Sequence, residues 1–294
     1  VKAALRIGVP AATLAVLVWR VGTGPFLDGL RTVDGGALAA AAGLAVLTTV
    51  CCAWRWRIVA RGLGVNLPLS TAVAAYYRSL FLNVTLPGGV VGDVHRGISH
   101  GLRAVAWERS AGQVVQVVLT VVVLLVAASP VRTAMPLVAL ALAAATAGVA
   151  IAARARPVAG TSRWARLRSA AARDLREGLL ARRAWPAIAL ASALVVAGHA
   201  ATFMIAARTV GVTASPWQML PLALLVLAAA ALPNIGGWGP REGVTAWAFA
   251  AAGLGASQGV ATAVAYGVMI FVAALPGAAI LVVAWVRRAG QVHA

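Results

Sequence analysis

Of 294 residues, 62% are hydrophobic and only 11% charged, and the mean hydropathy is +0.90, which excludes an ordinary soluble globular domain and selects the helical membrane proteins. A net charge of +18 raises the question of nucleic acid. The basic residues, however, sit at the ends of apolar runs or in one loop, as topology signals and anionic-lipid contacts do, and no nucleic-acid partner is expected.

Taken from the N-terminus, residues 7–22 form the first apolar run. No small-residue cleavage site follows it in Gly22, Thr23, Gly24 and Pro25, so it reads as a retained anchor. A loop with Asp28, Arg31 and Asp34 reads as external, and a second span covers 37–54. Cys51 and Cys52 lie side by side in that run, a spacing that suits neither a metal nor a disulfide. Arg55, Arg57 and Arg61 close the span and mark its end as cytoplasmic. After the stretch 67–102 come spans at 111–128 and 135–152, then a basic cytoplasmic loop, 153–184, with nine arginines between Arg154 and Arg183. Trp164, Leu167, Leu175 and Leu179 interleave with those arginines, as in a helix lying on the inner leaflet or in a solvated loop. Spans at 185–207 and 260–286 flank a second unassigned stretch, 217–256, and Arg287 and Arg288 return the chain to the inside. The expectation is an all-α integral membrane protein of the plasma membrane with about six full spans and both termini cytoplasmic. It forms one polytopic domain, 1–294, with halves 1–152 and 185–294.

Parity decides how the two remaining stretches lie. Residue 61 and the segment Arg103–Arg109 are both inside, so 67–102 enters and leaves on one face. The same count makes 217–256 enter and leave from the other face. Each stretch breaks at a Leu-Pro motif, because proline removes a helical donor and glycine permits non-helical dihedrals. The hinge positions are Pro87, Gly88, Gly89 and Gly92 in the first hairpin, and Pro233, Gly236, Gly237 and Gly239 in the second. Two broken hairpins at matching places, entered from opposite faces, are the mark of an inverted repeat with a site near the midplane.

Four of the seven acidic residues, Asp28, Asp34, Asp174 and Glu177, fall in expected loops where hydration makes them cheap. Asp93, Glu108 and Glu242 do not, and they need a reason: Asp93 lies just past the first break beside His95 and Arg96, and Glu242 just past the second beside Arg241. A charge at the centre of a spanning helix costs about 2.5–3.5 kcal/mol, so acid and base are expected to pair. Two readings stay open, one in which these residues only pin the hairpins and one in which they face a substrate. A broken helix also exposes N–H groups with partial positive charge, which with Arg96 and Arg241 nearby suits an anionic group such as phosphate. Asn83 and Asn234 read as caps of the broken ends, with ligand contact the alternative. His199 reads as an interhelical hydrogen bond, and Glu108 with Arg109 as an interfacial ion pair. Walker A, H-E-x-x-H and G-x-S-x-G motifs are absent, and no cofactor or metal site is expected.

The run Asn83-Val84-Thr85-Leu86-Pro87-Gly88-Gly89-Val90-Val91-Gly92-Asp93-Val94-His95-Arg96 resembles the first signature of the lysylphosphatidylglycerol synthase transmembrane family. Glu108 to Gly112 resembles its next element, and Leu232 to Gly243 its second signature, followed by a glycine turn near Gly253 and by Leu275-Pro276-Gly277. Trp238 and Pro240 depart from the pattern, where an aliphatic or a small residue is common. In the bifunctional members this module is regarded as the flippase that moves aminoacylated phosphatidylglycerol outward, while a separate soluble domain makes the lipid. The resemblance thus implies translocation and gives no support for aminoacyl transfer. In the reading that joins this to the residues, Arg96 and Arg241 hold a lipid phosphate, Asp93 and Glu242 orient them or meet a cationic head group, and Asn83, His95 and Asn234 complete the site. The expected partners are membrane lipids, with a second copy or a synthase as further possibilities. A membrane enzyme acting on a lipid-linked substrate through Asp93 and Glu242 is the competing reading.

Overall fold

The computed structural model describes residues 2–86, 91–127, 172–174, 181, 184–230, 234–235 and 237–292. The expected span 135–152, most of the basic loop, and Pro87, Gly88, Gly89, Pro233 and Gly236 lie outside the described residues. The rest is helical: α1 (Lys2–Val21), α2 (Gly24–Arg31), α3 (Gly35–Gly62), α4 (Leu69–Thr85), α5 (Val91–His100), α6 (Leu102–Val126), α7 (Trp185–Thr209), α8 (Pro216–Ala229), α9 (Pro240–Ala251) and α10 (Ala256–Val292). Among the described residues, α3, α6, α7 and α10 are long and apolar enough to cross a membrane, and 11–21 and α8 are shorter apolar helices. This is an all-α, multi-pass membrane protein.

Local chemistry fixes the helix starts. The Asp34 side chain accepts the Ala37 N–H at 2.8 Å to cap α3. Ser215 and Gln218 form a reciprocal capping box on α8, with Pro216 at its first position. Two boundaries differ from the expected ones. Helix α3 does not end at residue 54 but runs to Gly62, carrying Arg55 into the protein. Helix α6 begins at Leu102, nine residues before the expected span, and takes in Glu108 and Arg109.

The surface is apolar and the interior is small. Trp19, Ile98, Leu102, Val126 and Trp285 are exposed, as suits a lipid-facing exterior. Buried positions are rich in alanine, which lets helix backbones approach. One core cluster joins α3, α7, α8, α9 and α10 around Phe203, whose ring meets Phe249 and Tyr266 edge-on at 6.3 and 5.8 Å. Another joins α3, α4 and α6 around Trp56 and Tyr76.

Helix α10 carries both broken elements. It packs against α4 and α9, as well as against α2, α3 and α7. At Gly277 a Cβ would meet the backbone of Tyr77 in α4, and at Gly259 it would meet the backbone of Thr245 in α9. The Arg241 guanidinium at the start of α9 lies against Gly267, while Leu80 and Val84 near the end of α4 share a cavity with Ile270, Ala273 and Ala274. So α4 lies along the 270–277 part of α10 and α9 along 259–267.

Candidate functional site

At the first break, α4 and α5 pack against each other. Asn83 folds back so that its side-chain oxygen accepts the Gly92 N–H at 2.8 Å while its amide donates to Asp93 at 3.1 Å. This satisfies a free donor at the start of α5 and fixes the carboxylate in one step. Gly92 permits it, since a Cβ there would lie 2.6 Å from the Ser79 Cα.

Asp93 then collects the Ser79 hydroxyl at 3.1 Å, Arg96 at 3.0 Å and Arg109. Arg96, 1% exposed, spans two acids through one nitrogen, reaching Asp93 and Glu108 at 3.0 Å each. Glu108 is wholly buried and also accepts from Arg55 through Nε at 3.0 Å and through Nη2, and from the Tyr76 hydroxyl at 2.9 Å. Arg55 in turn donates to Ser192 of α7 at 2.9 Å. Three arginines and two carboxylates give this network a net charge of one positive unit. Arg96 Nε and Nη1 have no acceptor among the described residues. The guanidinium lies 4.5 Å from the Trp56 ring and 4.1 Å from the Tyr76 ring, whose negative faces partly replace the missing acceptors.

The second break is smaller and neutral. Ile235 and Trp238 exchange backbone hydrogen bonds of 3.1 and 3.0 Å, and the Asn234 side chain accepts the Gly237 N–H at 2.8 Å. Gly239 precedes α9 with φ +117°, a conformation closed to residues with a Cβ. Glu242, fully buried in the first turn, accepts the Gly239 N–H at 2.6 Å and Arg241 Nε at 2.9 Å. A carboxylate at that end also complements the helix dipole. Arg241 lies 5.3 Å from the Trp238 ring and 5.5 Å from the Tyr266 ring.

The structure therefore brings Asn83, Asp93 and Arg96 together at one break, and Asn234, Arg241 and Glu242 at the other. His95 is on the exposed side of α5, away from the charged network. His199 makes the interhelical contact, its Nδ1 3.2 Å from the Tyr266 hydroxyl.

Three readings are corrected. Glu108 and Arg109 do not pair with each other at an interface, because successive helical residues point in different directions. Glu108 turns inward to Arg55 and Arg96, and Arg109 reaches Asp93. Arg55 is not a flanking topology charge but a buried partner of Glu108. Asp174 is not a hydrated loop residue: only 6% exposed, it accepts from Arg103 Nε at 3.0 Å and from the Trp107 indole at 2.9 Å, tying its segment to α6.

Arg55 and Tyr76, and Glu108 and Arg109 in roles other than the expected ion pair, are thus members of the site. The one available signal was Glu108 itself, an acid with no hydrated place to go.

No curated protein matches the chain. Residues 3–277 match the profile of the lysylphosphatidylglycerol synthase TM region, and the chain belongs to that family.

Proposed function

We propose that this protein is a lipid translocator of the plasma membrane that moves an anionic lipid, a phospholipid or a polyprenyl-phosphate-linked lipid, between leaflets. The observation that carries the reading is that two broken helical elements pack along one helix, α10, each with a buried arginine–carboxylate network at its break. Buried charge is costly in hydrocarbon and is kept where it serves a pathway. Family membership supports a lipid-related membrane module.

In this reading the hairpins 67–102 and 217–256 are re-entrant from opposite faces, the halves form an inverted repeat with six full spans, and both termini are cytoplasmic. Arg96, with two guanidinium nitrogens unpaired among the described residues, and Arg241 are the phosphate-holding groups. Asp93, Glu108 and Glu242 hold those arginines while the site is empty and release them as the phosphate enters. Motion of one half against the other alternates access.

Leaflet exchange of labelled lipid by the purified protein in liposomes tests this. Arg241→Ala and Asp93→Asn are expected to lose exchange while staying folded. Unchanged exchange in well-folded variants refutes the site. New lipid products in the same vesicles would instead support a membrane enzyme.

A further inference from the structure

Beside the end of α4 lies a cavity of about 50 Å³ whose lining includes Thr48, Thr49, Cys52, Tyr76 and His199. That is several times the roughly 10–15 Å³ one water needs, and in a mostly apolar lining Thr48, Thr49 and His199 supply the polar partners for it. Its walls connect the two charged networks. Tyr76 donates to Glu108 in the first. His199 contacts the Tyr266 hydroxyl, and the Tyr266 ring lies against Arg241 of the second.

His199 is the imidazole in this cavity, and no described carboxylate contacts it. The groups facing it are Cys52 from α3, with Arg55 beyond it; Tyr76 from α4; Arg109 from α6, with Glu108 already engaged by Arg55, Arg96 and Tyr76; and Tyr266 from α10. Helix α8 presents no titratable side chain. The neighbourhood carries the surplus positive charge of the first network. An anion entering there offsets that surplus and supplies the counter-charge that an imidazolium otherwise lacks.

We propose, resting on the translocation reading above, that His199 is a proton-binding residue of the site, taking up one proton from cavity water as an anionic lipid phosphate enters and releasing it as the phosphate leaves. The Tyr266 hydroxyl accommodates both states, because it donates to a neutral ring nitrogen and accepts from a protonated one. By reciprocity of linkage, the anion then binds more tightly as pH falls.

The first test does not need transport. The full chain, labelled with ¹⁵N-histidine, is placed in phosphatidylcholine vesicles with and without phosphatidylglycerol at a pH of about 6.5, the ordinary histidine midpoint. The His199 signal, assigned by its loss in His199→Gln, is expected to become at least about twofold more protonated with phosphatidylglycerol. Exposed His95 reports the proton enrichment at the charged surface, and the His199 response must exceed it. An equal or smaller response overturns the proposal.

The second test is exchange of labelled phosphatidylglycerol between pH 8 and 6. Wild type is expected to speed up as pH falls, and His199→Gln to lose that acceleration, with a flat profile and slower exchange than wild type at pH 6. An unchanged profile in His199→Gln overturns the proton role and leaves translocation standing. Absent exchange with an intact ¹⁵N response does the reverse. Should His199→Gln fail to fold, His199→Asn takes its place, and a profile as steep as wild type's in that variant overturns the proposal.

Discussion

Replacing Glu108 with Gln removes one charge from the most deeply buried point of the first network. The carboxylate accepts two hydrogen bonds from Arg55 and one each from Arg96 and Tyr76. Gln keeps the shape but holds a single acceptor oxygen, and its amide points a donor at guanidinium groups. The network's surplus rises from one positive charge to two, with Arg55 and Arg96 both out of water's reach. Breaking a buried pair by removing one partner costs about 3–5 kcal/mol, or at least about a hundredfold in the folded ratio. Reversible unfolding of the purified protein in mixed detergent micelles reads this directly, with the exposed Asp28→Asn as the control expected to stay near wild type. Adding Arg55→Met to Glu108→Leu should cost less than the two single changes summed, since the pair is then replaced by apolar volume. Wild-type stability in Glu108→Gln, or strict additivity in the cycle, refutes the assignment of Glu108 as the centre of the network.

The glycine seats give three further tests. Gly239→Ala forces a Cβ into φ +117° and should cost about 1–3 kcal/mol, read in the same unfolding assay together with slower lipid exchange. Gly277→Ala drives a methyl into the Tyr77 backbone and should destabilise by a similar amount, about 1–3 kcal/mol; the neighbouring exposed Leu275→Ala serves as its control. Gly267→Ala places a Cβ 2.5 Å from Arg241 Nη2. It is expected to impair exchange while changing the unfolding midpoint less than Gly277→Ala, because the obstacle is the movable end of a side chain and not backbone.

What could be read from the sequence follows the range of the physics involved. The long spans were legible because apolarity over a fixed length needs no partner. The breaks were legible because proline and glycine act locally, and Asn83 folding back on Gly92 is the same kind of short-range effect. The partners of Glu108 were not legible. Arg55 is fifty-three residues away and has the look of a positive flank, which hides the fact that α3 continues past it. His95 was placed in the site by adjacency to Asp93 and Arg96, yet one helical step turns it outward. Asp174 looked hydrated because polar neighbours surround it in sequence, while Arg103 and Trp107, about seventy residues earlier, shelter it in space.

Gly259 and Gly277 lie eighteen residues apart on α10, which is five turns, or about 27 Å, along one stripe of the helix. Helices α4 and α9 are therefore keyed to the same side of a single shaft. A rotation of α10 about its own axis carries both keys in the same sense, and sliding it toward one membrane face pushes one broken element while drawing on the other. Under the proposed translocation cycle, the helix between the two glycines, which meets a proline only at Pro276, would couple a displacement of one broken element to the other.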